Sequence, residues 1–103
     1  MENNKLFVYG ILKRGFDLDL SMRGAKFIKE DEVNGRLYSM GGGVGLRLDD
    51  AAIPKSIRAK GELWEVPSTL WGWLDTIENE PINYARRLVR TVSGNECWVY
   101  EHV

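Results

Sequence analysis

The chain has 103 residues, with 14 Lys and Arg, 15 Asp and Glu, and a formal net charge of -1. That length suits one domain with one core, so we expect a single domain over residues 1–103. A net charge near zero gives no long-range field to attract nucleic acid, and one cysteine with one histidine excludes an internal disulfide and the usual Cys/His metal sites. We therefore expect no nucleic-acid partner, no metal and no cofactor, which leaves carboxylates, hydroxyls and backbone groups to carry any chemistry.

No stretch of the chain approaches the roughly 20 apolar residues that span a bilayer. The first few residues are polar and lead straight into a strand-like segment, which is typical of neither a signal peptide nor a transit segment. A cytoplasmic location without a membrane partner is therefore the default expectation.

The N-terminal part of the chain predicts strands. Residues 5–9 form a β-branched and aromatic run that Gly10 closes, which indicates a buried strand ending in a turn. Residues 25–29 and 33–40 alternate in the manner of strands and predict two neighbouring strands.

Glycines mark the segments around these strands. Residues 15–24 have glycine at both ends and predict a loop with one helical turn at most. Residues 41–45 hold four glycines and predict a loop, because glycine occurs where φ is positive or where another group approaches the backbone closely. A short strand over residues 45–48 and an exposed connection over residues 49–56 should follow.

The next segment predicts the main helix. Residues 59–66 alternate strongly and predict a strand. Ser68 is a suitable N-cap, and apolar residues recur at helical spacing after it, so residues 69–78 should form an amphipathic helix.

The C-terminal segment predicts a hairpin. Residues 86–92 and 96–100 should form its strands, with the turn at residues 94–95. Strands thus outnumber helices and do not alternate with them regularly, which indicates an α+β domain built on a small curved or barrel-like sheet. The pattern does not determine the topology.

Glu78 is the strongest candidate for chemistry. It continues the apolar stripe of Leu70 and Leu74 on the predicted helix, where an ionised carboxylate is costly. Burial and the negative end of the helix dipole would both raise its pKa toward the range in which a carboxyl group takes and gives a proton. The alternative is that the helix ends one residue earlier and Glu78 is a solvated surface residue.

A turn after the first strand and one tyrosine are the other candidates. Tyr9, Gly10, Ile11 and Leu12 surround a glycine that would let backbone N–H groups converge on an anion, and the alternative is an ordinary strand exit. Tyr84 is either a wall of a binding site or a half-buried packing residue.

The remaining candidates favour structural roles. At this net charge, Arg86, Arg87 and Arg90 are expected on solvated strand faces, and the tryptophans are expected to pack in the core and on the surface. Cys97 should be an inert buried thiol and His102 should lie in a terminal tail, so no Cys–His nucleophile pair is expected.

Several blocks of the sequence resemble, in order, those of one known family. LFVYGILKRG at residues 6–15 closely resembles the N-terminal signature of the gamma-glutamylcyclotransferase-like superfamily, which is usually written around a Tyr-Gly-Thr/Ser-Leu turn. The later blocks GRLYSMGGG, GELWEV and LDTIE, and then Tyr84 with Arg86 and Val89, resemble the family's blocks in the same order. The similarity covers essentially the whole chain.

The resemblance implies a fold and an activity. The fold is a small mixed β-barrel with one main helix, and the family's glutamate on that helix matches Glu78. In family members the turn, which is Tyr9, Gly10, Ile11 and Leu12 here, holds the γ-glutamyl group of a small-molecule substrate. The glutamate transfers protons while 5-oxoproline closes and an amine leaves. The attack is intramolecular, so orientation and proton transfer suffice.

Some positions depart from the family pattern. Ile11 stands where Thr or Ser is usual, Gly43 and Val44 replace a common Tyr-Pro, and Asn79 follows the glutamate where glycine is common. The sequence therefore favours a γ-glutamyl cyclotransferase. One alternative is a non-catalytic protein that binds a small metabolite in the same site, and another is an interaction module that uses exposed tryptophans. The leaving amine and the oligomeric state are not indicated.

Overall fold

A computed structural model of the chain describes residues 4–9, 20–40, 43–48, 57–78, 80, 82 and 84–102. The strands of this part are β1 (Lys5–Val8), β2 (Lys26–Met40), β3 (Gly43–Leu48), β4 (Arg58–Glu65), β5 (Tyr84–Arg90) and β6 (Glu96–His102). Its helices are α1 (Trp71–Ile77) and two 3-10 turns at Leu20–Arg23 and Ser68–Leu70.

The six strands form one mixed sheet in the order β3-β2-β4-β1-β6-β5. Strands β1 and β6 run parallel, whereas the other neighbouring pairs run antiparallel. The sheet curls until β3 reaches β6, where the N–H of Leu48 donates to Oε2 of Glu101 at 2.9 Å. This curled half-barrel with one α-helix confirms the predicted fold class.

Apolar side chains pack on both faces of the sheet. Successive residues of β1 point to opposite faces, and residues 6–8 accordingly belong to two clusters, which explains why these three residues are all apolar. The first cluster comprises Phe7, Val33, Leu46, Ala59, Leu63, Cys97 and Val99. The second, against which α1 packs, comprises Leu6, Val8, Leu20, Ala25, Trp64, Val66, Leu74 and Tyr100.

Strand β2 is longer than the sequence predicts. The prediction of two strands at residues 25–29 and 33–40 is wrong, because the acidic stretch between them also pairs with β4. Asp31 in that stretch is 8% exposed and accepts a hydrogen bond from Oγ of Ser93 at 2.6 Å. The acidic stretch is stable in the sheet because distant residues supply its partners.

Part of the glycine cluster lies in a strand. Strand β3 begins at Gly43 and pairs with the end of β2, in the register Tyr38↔Gly45. The loop predicted over residues 41–45 is therefore wrong from Gly43 onward, because hairpin pairing outweighs the low strand propensity of glycine. Residues 41 and 42 lie outside the described residues.

The predicted helix is present, but it begins differently. A 3-10 turn precedes α1, and Ser68 lies inside that turn without capping it, so the predicted N-cap is wrong. At the other end Glu78 is the C-cap residue of α1, and its N–H donates to the carbonyl of Leu74 at 3.0 Å. Leu74 is fully buried, so Glu78 lies one turn beyond the point where α1 is anchored in the core.

Strands β5 and β6 form the predicted hairpin. Gly94 in its turn has a φ of +96°, a region that favours glycine. Strand β6 extends two residues further than predicted, whereas β5 begins and ends two residues earlier than predicted. The pair Tyr84↔His102 ends the hairpin. The expectation that His102 lies in a terminal tail is therefore wrong, because sheet pairing continues beyond Tyr100.

Candidate active site

One edge of the sheet brings Tyr9 and Tyr84, two of the predicted site residues, close to each other. Because β1 and β6 run parallel and β5 runs antiparallel to β6, the end of β1, the end of β6 and the start of β5 lie at the same edge. Tyr9 follows β1 and Tyr84 opens β5. The charge of Glu78 acts on both tyrosine hydroxyls, so the C-terminal end of α1 lies beside this edge.

Glu78 is half-buried at the end of α1. Burial raises the pKa of its carboxyl group from 4.5 to about 7, because the ionised form loses hydration. A carboxyl group with such a pKa is divided between its acid and base forms at neutral pH. This is the property that general acid–base catalysis requires.

The two tyrosines are tied to backbone groups. The hydroxyl of Tyr9 donates to the carbonyl of Tyr100, and the hydroxyl of Tyr84 donates to the carbonyl of Val44 at 3.2 Å. Burial raises the pKa of Tyr9, and the neighbouring Tyr84 and Glu78 add to the rise. Burial also raises the pKa of Tyr84, with Glu78 adding to it. Both hydroxyls therefore stay neutral at physiological pH.

Tyr38 and His102 belong to the same cluster, and sequence reasoning missed both. The hydroxyl of Tyr38 lies 2.8 Å from Nδ1 of His102. The His102 ring meets the rings of Tyr38 and Tyr84 edge-on, with centroids 5.9 Å and 5.4 Å apart. The signals for Tyr38 were alternation in residues 33–40 and its place in the block GRLYSMGGG, and no local pattern extends β6 to His102.

A second set of polar side chains connects α1 to β5 and β6. Oδ1 of Asp75 accepts a hydrogen bond from the hydroxyl of Tyr100 at 2.6 Å, and its Oδ2 lies 3.6 Å from Nη2 of Arg86. The Arg86 guanidinium lies over the rings of Trp71 and Trp98, 5.0 Å and 5.4 Å from their centroids. The prediction that Arg86 is a solvated residue on a strand face is therefore wrong.

None of the four tryptophans is exposed. Trp64 is fully buried, and the guanidinium of Arg23 covers Trp73 at 3.8 Å from the ring centroid. The other tryptophans are partly buried, which disfavours an interaction module based on exposed tryptophans. Cys97 is fully buried as predicted, and burial raises the pKa of its thiol to about 12, which disfavours the nucleophilic thiolate.

Part of the predicted site lies outside the described residues, namely Gly10, Ile11 and Leu12, and so does Asn79, which departs from the family pattern. The anion-binding turn therefore stays a prediction. In the described ranges no three His, Cys, Asp or Glu side chains are grouped so that they could hold a metal ion. No helix in the part of the chain that the structure describes is long and apolar enough to cross a membrane.

An open groove of about 610 Å³ lies elsewhere on the sheet. Burial disfavours the charge of Asp31 there, but hydrogen bonds, first from the Ser93 side chain, outweigh burial and lower the pKa of Asp31. This network attaches the β5–β6 turn to β2. The groove contains none of Glu78, Tyr9, Tyr84, Tyr38 and His102. Its lining is Lys29, Glu30, Asp31, Glu32, Lys60, Gly61, Glu62, Val92 and Ser93.

The fold places the chain in a class of small α+β half-barrels that known structures share. An uncharacterised protein from Pyrococcus horikoshii is 25% identical with a TM-score of 0.76, over 97% of this chain and 78% of that one. An AIG2-like protein from Mus musculus is 24% identical with a TM-score of 0.75, over 97% and 77%. A protein specific to uropathogenic E. coli is 23% identical with a TM-score of 0.79, over 100% and 81%.

A family model described as gamma-glutamyl cyclotransferase, AIG2-like, matches residues 6–102. The chain therefore belongs to this family, which confirms the resemblance seen in the sequence blocks. Family and fold together support a gamma-glutamyl cyclotransferase-like function. A comparison with curated protein sequences found no significant match.

Proposed function

We propose that the protein is a γ-glutamyl cyclotransferase, which releases 5-oxoproline and a free amine or amino acid from a γ-glutamyl compound. The observation that carries the proposal is the half-buried carboxyl group of Glu78, whose pKa burial raises to about 7. The charge of this carboxyl group acts on the hydroxyls of Tyr9 and Tyr84, and membership of the family supports the reaction class.

In the proposed reaction Glu78 acts first as a base. The ionised carboxylate takes a proton from the α-ammonium group of the substrate, and the freed nitrogen attacks the γ-amide carbon. A C–N bond forms, and the carbonyl oxygen becomes an oxyanion. The α-amino nitrogen and the γ-amide carbon belong to the same molecule, so the site accelerates the attack largely by holding these two atoms in one orientation.

Glu78 then acts as an acid. When the tetrahedral intermediate collapses, the bond to the leaving nitrogen breaks and Glu78 gives its proton to that nitrogen. The second proton of the ring nitrogen ends on the released amine, which departs as an ammonium ion. The carboxylate is restored, and the reaction consumes and releases no net proton.

Tyr9 and Tyr84 are proposed to line the substrate site with Gly10, Ile11 and Leu12. The raised pKa of each tyrosine keeps its hydroxyl neutral. Neutral hydroxyls neither repel the substrate carboxylate nor compete with Glu78 for the ammonium proton.

The test is 5-oxoproline release from a panel of γ-glutamyl amino acids and γ-glutamyl amines. Turnover by the wild type that disappears in Glu78→Gln supports the proposal, and the active panel member identifies the leaving amine. Glu65→Gln is the matched control, because Glu65 is an exposed glutamate on β4 and should leave turnover unchanged.

The non-catalytic binding protein is the outcome if folded wild-type protein turns over no panel member. Isothermal titration calorimetry with the same compounds then tests whether the protein binds one of them without turning it over. A binding protein should hold one of them with an affinity that Glu78→Gln changes only modestly, because no proton transfer is required for binding.

A further inference from the structure

We propose that Asp75 and Arg86 are positioning residues that hold the end of α1 against β5 and β6 and thereby place Glu78 at the site. The role given to Glu78 rests on the proposed function. We call Asp75 and Arg86, with their contacts to Trp71 and Tyr100, the clamp. The clamp itself rests on these contacts and not on the proposed function.

Helix α1 needs such a clamp because it is short. It has seven residues, no side-chain cap at its start and no basic residue in its last turn. Isolated helices of this length are not stable in water. Leu74 is its one buried residue, and Trp71 and Trp73 pack against the same apolar cluster while only partly buried. Apolar contacts are non-directional, so they restrain the rotation of a helix about its axis less than polar contacts of defined geometry do.

Arg86 adds a directional constraint by contacting α1 at two points. Its guanidinium lies 5.0 Å from the ring centroid of Trp71 and 3.6 Å from Oδ2 of Asp75. Residues 71, 75 and 78 lie at i, i+4 and i+7, which is a single stripe on a helix. Contacts with the first two members of the stripe therefore determine where the third, Glu78, is placed.

Tyr100 extends the clamp to the other side of the site. Its hydroxyl donates to Asp75 at 2.6 Å, and its carbonyl accepts the hydroxyl of Tyr9. Tyr100 is only 3% exposed, so it is a rigid support. The same residue thus fixes the helix that carries Glu78 and the tyrosine that begins the predicted binding turn.

The clamp should matter more for geometry than for stability. The side chains of Arg86 and Asp75 are each 30% exposed, and partly solvated ion pairs contribute little to folding. Misplacement of a catalytic group by about 1 Å, in contrast, can reduce a rate about a hundredfold. Variants of the pair should therefore fold and lose turnover.

The variant that tests the clamp is Asp75→Asn/Arg86→Met, which removes one charge of each sign and leaves the local net charge unchanged. We expect its kcat for 5-oxoproline release to fall about tenfold to a hundredfold, with KM changed much less. Arg23→Met is the matched control, because Arg23 also covers a tryptophan of α1, Trp73, but does so off the Glu78 stripe. The control should keep the wild-type kcat.

Carbon-13 NMR of glutamate carboxyl groups gives a readout that needs no turnover, with Glu78→Gln assigning the resonance. In the double variant the pKa of Glu78 should fall from about 7 toward 4.5, because a displaced carboxyl group regains hydration. Because the double variant keeps the local net charge, a change of net charge cannot be the cause of a shift in the pKa of Glu78. Tyr9, Tyr84 and Tyr100 remain neutral in this pH range.

An unchanged pKa of Glu78 in the folded double variant would overturn the clamp, whatever the activity. Absence of turnover in the wild type would overturn the proposed function instead, and the NMR titration would still decide the clamp. If the double variant does not fold, Arg86→Lys replaces it. This variant keeps the charge but loses the planar stacking on both tryptophans, so the same shift, smaller in size, is expected.

Discussion

Glu78 makes the folded protein less stable as the pH rises. Burial raises its pKa from 4.5 to about 7, so the folded chain holds this proton more tightly than the unfolded chain. A group of this kind contributes its full stability below its unfolded pKa and loses that contribution as the pH rises through its folded pKa. The loss therefore falls between about pH 4.5 and pH 7.

We expect Glu78→Gln to raise the free energy of unfolding at about pH 8.5 by about 1–3 kcal/mol and to leave it nearly unchanged at about pH 4. Glutamine keeps the shape of the side chain without the buried charge, and partial solvation reduces the size of the gain. Urea unfolding at both pH values measures the effect, with Glu65→Gln as control. An equal change at both pH values would contradict the predicted burial of the charge.

The activity should follow the ionisation of the same residue. Glu78 must be ionised to accept the ammonium proton, so kcat/KM for 5-oxoproline release should rise about tenfold per pH unit below pH 7 and level off above it. An unburied glutamate would place this acid limb near its ordinary pKa of 4.5. A pH profile whose acid limb falls near pH 4.5 would contradict the assignment of Glu78 as the catalytic base.

At the scale of elements, two glycines differ only in backbone conformation. A Cβ atom added at Gly94, in the β5–β6 turn, or at Gly72, in α1, would meet no atom within 4 Å. Gly94 has a φ of +96°, whereas Gly72 lies in a helix. Space is therefore equal at the two positions, and only the conformational preference of the backbone differs.

We expect Gly94→Ala to lower the free energy of unfolding by about 1–2 kcal/mol, because an L side chain is strained at positive φ. Gly72→Ala should raise it by about 0.5–1 kcal/mol, because alanine loses less conformational entropy than glycine in a helix. Chemical denaturation of the two variants measures both signs. Destabilisation by both variants would show that contacts, not backbone conformation, decide their effects.

At the scale of the whole molecule, Glu101 closes the curled sheet. Its Oε2 accepts the N–H of Leu48 on β3 at 2.9 Å, and its Oε1 lies 3.4 Å from Nε of Arg87. Arg47 on β3 adds an ion pair at 4.0 Å. One carboxylate therefore supplies polar contacts across the seam between β3 and β6, beside the apolar packing of Leu46 against Cys97 and Val99.

Glu101→Ala should open this seam. We expect the amide of Leu48 to lose hydrogen-exchange protection about tenfold, while the amide of Leu63 in the centre of β4 changes less. Glu101→Gln should restore part of the protection, because it keeps an acceptor for Leu48 without the charge. Equal loss at Leu48 and Leu63 would indicate global destabilisation rather than opening of the seam.

Features set by near neighbours in the chain were predictable. The apolar and aromatic run at residues 6–9, the alternation of β4 and the helical spacing around Leu74 identified their elements, because each is a local pattern in the sequence. Gly94 identified the hairpin turn, because glycine favours the positive φ that it adopts there. Glu78, Tyr9 and Tyr84 were candidates because of residue type, position and family resemblance, and their proposed roles remain to be tested.

Features that depend on distant partners were decided by the tertiary structure alone. The acidic stretch of β2 remains a strand because Ser93 bonds to Asp31, and His102 extends β6 because Tyr84 pairs with it. Arg86 was expected in solvent and instead contacts Asp75. The composition and local periods of a sequence determine which faces are apolar and where turns fall. Burial of a carboxyl group and the partners of a charge depend on residues far apart in the chain, which only the folded sheet brings together.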